Sequence, residues 1–229
     1  MPIFTNDYPA ARMVTIAIIG GSGPEGRGLG LRFAIAGHAV VLGSRDAARA
    51  NEAAGAVAAL SPGAAVSGAL NADAARAAEW VVLSVPYEGL DDTVRALAPS
   101  LDGKMVVSVV APLAFEGGQP RAVLVPEGSA AELVQGLVPN AQVTSAFHNL
   151  SAKELLKPHE RLAGDVIVCG DDAQAKADTV GLVNVIQDLR GVDGGPLSNS
   201  RIVEELTALL LYVNMRAKSR ATIKLLGLD

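Results

Sequence analysis

The chain has one cysteine, three histidines, few aromatics and no surplus of positive charge. A lone Cys169 excludes an internal disulfide, and no Cys/His spacing resembles a metal cluster. At the end of the apolar run Val166, Ile167, Val168, this thiol is read as a core residue. Aromatics make up 3% while Ala, Val and Leu abound, so an aliphatic core with close helix–sheet packing is expected. Nineteen Lys and Arg against 24 Asp and Glu leave a net charge of -5, which argues against nucleic acid as a partner. Any positive potential has to be local. Although half the residues are hydrophobic, no window holds the roughly 18 uninterrupted apolar residues of a membrane span. The N-terminus lacks a basic, apolar, small-residue signal layout. These absences predict a soluble, cytoplasmic protein with no membrane partner and no metal. Its 229 residues suffice for one sizeable core with an appendage, or for two small domains.

What is present is concentrated near the start. A β-branched run, Thr15 to Ile19, leads into Gly20, Gly21, Ser22, Gly23, Pro24, Glu25 and Gly26. An apolar segment rich in Leu29, Leu31, Phe33 and Ile35 follows, and Gly37 and His38 stop it before the strand-like Ala39 to Leu42. Strand, glycine turn, helix, strand is the βαβ context that a GxGxxG needs before it signals a dinucleotide. Pro24 has no amide hydrogen to offer a phosphate, but it is tolerated at a helix start. The anion would rest on the remaining amides and the positive helix end. The residue about 20 positions on from such a turn reads the adenosine ribose, an acid for a free 2′-hydroxyl and Arg for a 2′-phosphate. Here Gly43 is followed by Ser44, Arg45 and, four residues later, Arg49. A hydroxyl with two guanidinium groups suits a phosphate monoester, so NADP is the expected cofactor. The alternative, two solvated charges at a helix start, places cations where the helix dipole disfavours them.

Further along, helix is expected at 47–60, 72–78, 90–97 and 129–137, the last with Ser129 and Glu132 at capping-box spacing. Strand is expected at 80–85, 105–110 and 142–147, with a short element near 65–67. The alternation implies an α/β fold, a Rossmann-type doubly wound parallel sheet with a smaller C-terminal α/β region. The boundaries are an N-terminal extension at 1–13, a dinucleotide domain at 14–150 and a small C-terminal domain at 151–229. Residues 111–125 show no period and are expected as a long irregular segment. Ligands of open α/β sheets bind outside the carboxyl ends of the strands. Val85, Pro86 and Tyr87, then Val110, Ala111 and Pro112, then His148 and Leu150 should therefore gather on the cofactor side. In the last third, a strand is expected at 166–169, a helix at 173–189, a turn at 194–196 and a final helix at 198–215. On that helix Leu206, Leu209, Leu210 and Val213, widened by Leu211, form a stripe suited to core or dimer interface.

The glycine turn, Gly43-Ser44-Arg45, Ser145-Ala146-Phe147-His148, Val168-Cys169-Gly170-Asp171-Asp172 and Gly195-Pro196-Leu197-Ser198-Asn199-Ser200-Arg201 before Val203-Glu204 together resemble the NADPH-dependent coenzyme F420 reductases. The resemblance covers nearly the whole chain after the extension. It implies a Rossmann domain for NADP, a small domain closing a cleft, a homodimer, and hydride transfer between nicotinamide and a 5-deazaflavin. Ser22, Ser44, Arg45 and Arg49 match family positions that hold the NADP phosphates; His148 and Leu150 match positions facing the deazaflavin ring. The surroundings of Leu150 depart from the family pattern, and the position of Tyr87 varies among aromatics.

Hydride transfer between two ring cofactors needs them stacked in a dry cleft and leaves the hard chemistry to the cofactors. No catalytic acid or base is therefore obligatory; His148 is a candidate contact to the deazaflavin. Asn199 and Arg201 either close over a ligand or are structural, with Ser198 capping the last helix and Arg201 solvated. Two other classes compete. A hydroxyacid dehydrogenase would need a proton acceptor on a long helical domain, and only about 80 residues remain for one. A non-catalytic NADP sensor would need no second ring site. Another flavin-like or pterin-like acceptor is the alternative within the reductase reading.

Overall fold

A parallel strand covered on both faces must be apolar along its length, and β1 (Thr15–Ile19) meets that condition. In the computed structural model, which describes residues 13–228, Ile16 and Ile18 point into one hydrophobic layer and Ala17 and Ile19 into the other, all fully buried. The chain continues through α1 (Pro24–Ile35), β2 (Ala39–Ser44), α2 (Ala47–Leu60), β3 (Val66–Leu70), α3 (Asn71–Ala77), β4 (Trp80–Leu83), α4 (Leu90–Leu101) and β5 (Met105–Ser108). After β6 (Leu113–Glu116) and β7 (Gln119–Ala122) come α5 (Ala130–Leu137), β8 (Gln142–Ser145), α6 (Ala152–Leu155), β9 (Gly164–Gly170), α7 (Ala173–Asn184), β10 (Leu189–Asp193) and α8 (Ser200–Ala217). The N-terminal extension expected at 1–13 lies, Met13 apart, outside the described residues.

Eight strands form one sheet in the order β10-β9-β8-β5-β4-β1-β2-β3. The run from β3 to β8 is parallel throughout. The order reverses between β1 and β4, leaving a crevice at their carboxyl ends where an open α/β sheet binds its ligands. Residues of α1, α2 and α7 fill one layer, with Leu29, Leu31, Phe33, Val57, Val180 and Val183 buried. Those of α3, α4 and α5 fill the other, with Ala74, Leu90, Val94, Leu101 and Val134. Alanines allow the tight approach: Ala50, Ala74, Ala75, Ala130 and Ala131 are fully buried. Cys169 is buried as expected of a core thiol.

The C-terminal third extends the same sheet. β9 runs antiparallel to β8, pairing Thr144 with Gly170 and Ser145 with Cys169. α7 then crosses over to β10, which is parallel to β9. The sheet and one hydrophobic layer thus run through residue 150, with Val166 and Val168 buried alongside Ile16 and Val107.

Four local expectations are corrected. Residues 111–125 carry the hairpin β6–β7, which turns at Gly117 and Gly118 with φ of 56° and 77°. Glycine pairs are favoured in two-residue hairpins that need positive φ twice. The hairpin strands are mostly exposed, with Pro120 their one buried residue, so no hydrophobic alternation marked them. The helix expected at 173–189 ends at Asn184, and Leu189–Asp193 is strand β10, entered through Asp188 at φ 67°. Val185 and Ile186 in the turn and Leu189 just after it kept apolar residues on both sides of the break, which hid it. Ser198 does not cap α8; it lies in a 3-10 turn, and Asn199 at the cap position makes no side-chain cap bond. Of the two readings of the α8 stripe, core or dimer interface, the first does not hold within the chain: Leu209 is 58% exposed and Val213 40%.

Candidate active site

The glycine turn is built by three different constraints. Gly20 has φ 80°, and a Cβ there would lie 2.4 Å from the Ser84 carbonyl oxygen at the end of β4. At Gly21 a Cβ would lie 2.7 Å from the Ile18 oxygen and 2.9 Å from Leu42 Cα; its amide donates to the carbonyls of Ile18 and Gly43. Gly26 meets Gly21 Cα at 2.8 Å, which lets α1 seat on β1. Gly23 differs. Its φ of -74° and ψ of 163° suit any residue, and a Cβ would meet only the Gly20 oxygen, at 3.3 Å. The protein's own packing scarcely asks for glycine there, and the backbone at the start of α1 is left open to close approach. Pro24 takes the first helical position.

At the carboxyl end of β2, Ser44 is buried and its Oγ accepts from the Asp46 amide at 3.2 Å. Asp46 caps α2, its carboxylate accepting from the Arg49 amide at 3.0 Å. Arg45 and Arg49 are exposed on this corner. A groove of about 350 Å³ brings Ser22, Gly23 and Arg49 together with Arg27 and Glu52; Ser44 and Arg45 lie outside its lining. Arg27 Nε is buried with no hydrogen-bond partner, a donor left for an anion.

The ends of β5 and β8 open onto a cavity of about 460 Å³. Phe147 follows β8 with φ 70°, a left-handed conformation unfavourable for a bulky side chain. Its ring is fully buried edge-on against Phe33, 5.8 Å between centroids. That packing holds the turn that places His148 in the cavity wall. His148 Nε2 is buried without a partner, and desolvation pushes the imidazole down to about 4, so it is neutral at pH 7. The same cavity is lined by Glu25, whose Oε1 is also buried and unpartnered. Burial alone pushes that carboxyl up to about 8. Ala111 and Leu150 share this wall, whereas Val85, Pro86, Tyr87, Val110 and Pro112 stand outside it. Val85 touches the space beside Gly20, and Tyr87 begins a 3-10 turn after Pro86. Val110 and Pro112 are buried residues of the segment that leads from β5 to the hairpin.

Two elements close the cavity. From α8 come Thr207, Leu210, Leu211 and Met215, and the Thr207 hydroxyl donates to the His148 carbonyl at 3.2 Å. α8 is tied to the sheet by Glu204, whose carboxylate accepts from the Ala130 and Ala131 amides at the start of α5, and by Ser200, 2.7 Å from Ser145. From the other side α6 contributes Ala152 and Lys153. Arg32 on α1 holds α6 by donating to the carbonyls of Glu154, Leu155, Lys157 and Glu160. Asn199 donates to the Gly194 carbonyl, and Arg201 pairs with Glu205 on the surface. The site thus consists of a glycine turn at the start of α1, a groove lined by Arg27, Arg49 and Glu52, and a largely apolar cavity with two unpartnered polar atoms.

Comparison with known proteins decides the lineage. Residues 15–112 match the family described as NADP oxidoreductase coenzyme F420-dependent. The F420-dependent NADP reductase of Methanocaldococcus jannaschii is 39% identical over 90% of this chain and 95% of its own. That of Methanothermobacter thermautotrophicus is 36% identical over 91% and 92%. The chain belongs to the F420-dependent NADP reductases. A crystal structure from Arthrobacter sp. FB24, assigned as an F420-dependent NADP reductase, superposes with a TM-score of 0.80 at 27% identity, covering 93% of this chain and 99% of that one.

In this member of the F420-dependent NADP reductases, several cavity and groove residues escaped sequence reasoning. Arg27 follows the last motif glycine directly, and a cation one residue past Gly26 was the available signal. Leu210 and Leu211 were legible as part of a helical stripe but not as a wall, because helical spacing does not tell which neighbour a face meets, and Thr207 stood outside that stripe. Arg32 and Glu204 sit on apolar faces as buried charges, and their partners are backbone atoms 122 and 73 or more positions away.

Proposed function

We propose that the protein transfers a hydride between NADP(H) and the 5-deazaflavin coenzyme F420. The observation that carries this reading is the juxtaposition of a pyrophosphate-type glycine turn with a separate apolar cavity at the carboxyl ends of β5 and β8, in a chain of this family. The nicotinamide and the deazaflavin supply the hydride chemistry; the protein supplies position and exclusion of water. Ser22, Gly23 and the first turn of α1 receive the pyrophosphate, with Arg27 beside them. Ser44, Arg45 and Arg49 meet the 2′-phosphate. Ala111, His148 and Leu150 form the floor on which the second ring rests, under α8. His148, neutral at pH 7, offers a hydrogen bond and no charge.

The same reading extends to assembly. α8 leaves Ile202, Leu209, Tyr212, Val213 and Met215 at least 40% exposed, a larger apolar face than isolated surface residues account for. A homodimer that buries this face in the cytoplasm fits it. Mixing the protein with NADPH and oxidised coenzyme F420 tests the function: loss of deazaflavin absorbance is expected. Tight NADP binding with no turnover would overturn the reading in favour of a sensor, and turnover with a small hydroxy acid alone would favour a dehydrogenase.

A further inference from the structure

Glu25 is the residue the reaction as described leaves unused. It occupies the second position of α1, on the far side of the glycine turn from Ser44 and Arg45. A dinucleotide whose adenosine end lies over β2 and whose pyrophosphate meets the start of α1 has only the β4-β5-β8 side left for its nicotinamide, because the strand order reverses at β1 and β4. Glu25 lines the cavity on that side, with Oε1 buried and unpartnered. Buried polar atoms of native proteins nearly always have partners, so such an orphan calls for a ligand or an ion.

Resting on the NADP reading above, we propose that the Glu25 carboxyl is the counter-charge of the nicotinamide, selecting the cationic oxidised ring over the neutral reduced one. The other titratable or charged groups lining the cavity are His148 from the end of β8, Lys153 from α6 and Arg220 from the tail after α8. His148 is uncharged at pH 7, Arg220 is paired with Glu154, and Lys153 is exposed. Arg27, Arg49 and Glu52 line the separate groove. Glu25 is therefore the acid available inside the cavity. In the free protein its carboxyl is held up to about 8 by burial, so at pH 7 it is protonated. NADP+ then binds with loss of that proton to solvent, leaving carboxylate against pyridinium; NADPH binds with the proton retained. The site thereby links the nicotinamide oxidation state to pH, favouring bound NADP+ as pH rises.

The test is calorimetric titration of the wild type with NADP+ and with NADPH at pH 7, in two buffers of different ionisation enthalpy. Release of close to one proton with NADP+ and none with NADPH is expected. In E25Q the release disappears and NADP+ affinity falls about tenfold relative to NADPH, as expected for one lost charge pair in a partly screened site. No differential release by the wild type, or an E25Q change equal for both nucleotides, overturns the inference while the NADP reading stands. Failure of the wild type to bind either nucleotide overturns both. The proton count needs no variant, so it decides the matter even if E25Q does not fold.

Discussion

Replacing Gly23 by Ala, with Gly21 replaced by Ala as its control, separates the demands of the fold from those of the ligand. At Gly21 the added methyl would stand 2.7 Å from the Ile18 carbonyl oxygen and 2.9 Å from Leu42 Cα, both backbone. Neither can swing aside, so β1 and β2 must separate locally, at a cost of about 3 kcal/mol, the upper part of the range for overpacking. At Gly23 the methyl meets one oxygen, at 3.3 Å, on a backbone already in an ordinary extended conformation. The slight crowding is opposed by the lower entropy of the unfolded alanine chain, about 0.4–1 kcal/mol. The folded stability of Gly23→Ala should stay within about 1 kcal/mol of wild type. Its nucleotide affinity should not. A methyl between backbone and pyrophosphate removes about two charge-assisted amide contacts of about 1.5 kcal/mol each, roughly 100-fold in Kd. Urea unfolding without nucleotide gives the first quantity and NADPH fluorescence titration the second. Gly23→Ala binding within about threefold of wild type, or unfolding as easily as Gly21→Ala, would refute the assignment of this turn.

Arg45→Ala should raise the KM for NADPH about 10- to 30-fold with little change for NADH, since one charged hydrogen bond to the 2′-phosphate is worth about 1.5–2 kcal/mol; equal effects on both nucleotides would defeat the NADP assignment. Arg32→Met removes the guanidinium hydrogen bonds to four backbone carbonyls, of which those of Glu154 and Lys157 keep a backbone donor. It should lower unfolding stability by about 3 kcal/mol, with faster amide exchange through α6. A change below about 0.5 kcal/mol would show that α6 needs no clamp. The wild type should sediment as a dimer and the double variant Leu209→Glu, Val213→Glu, changed at two exposed positions of α8, as a folded monomer; a variant that sediments like the wild type would refute an interface on this face.

Much of the fold was legible along the chain because its signals are local. The run Thr15 to Ile19 could be read as a doubly covered strand from residue type alone, and α2 occupies Ala47–Leu60 because alanines favour helix without help. The helix start read at α5 formed where it was expected, the Ser129 hydroxyl accepting from the Glu132 amide and donating to the Glu132 carboxylate, which completes only the hydroxyl half of a capping box. The hairpin β6–β7 and strand β10 were lost for the opposite reason. One is too exposed to show alternation, and the other follows α7 after only a four-residue turn, 185–188, that holds Val185 and Ile186 and ends at the left-handed Asp188.

The site divides along the same line. Sequence by itself determined the βαβ unit, the glycine turn and the basic Ser44-Arg45-Arg49 corner, because each depends on contacts within about 30 residues. Only the tertiary structure decided that Glu25 and His148 share one cavity, that α8 walls it, and that Gly23 is the one turn glycine its own protein barely requires. Those facts depend on which surfaces meet when β8 joins the sheet parallel to β5 and β9 then pairs antiparallel to β8, and no spacing between residues 25, 148 and 207 encodes that meeting.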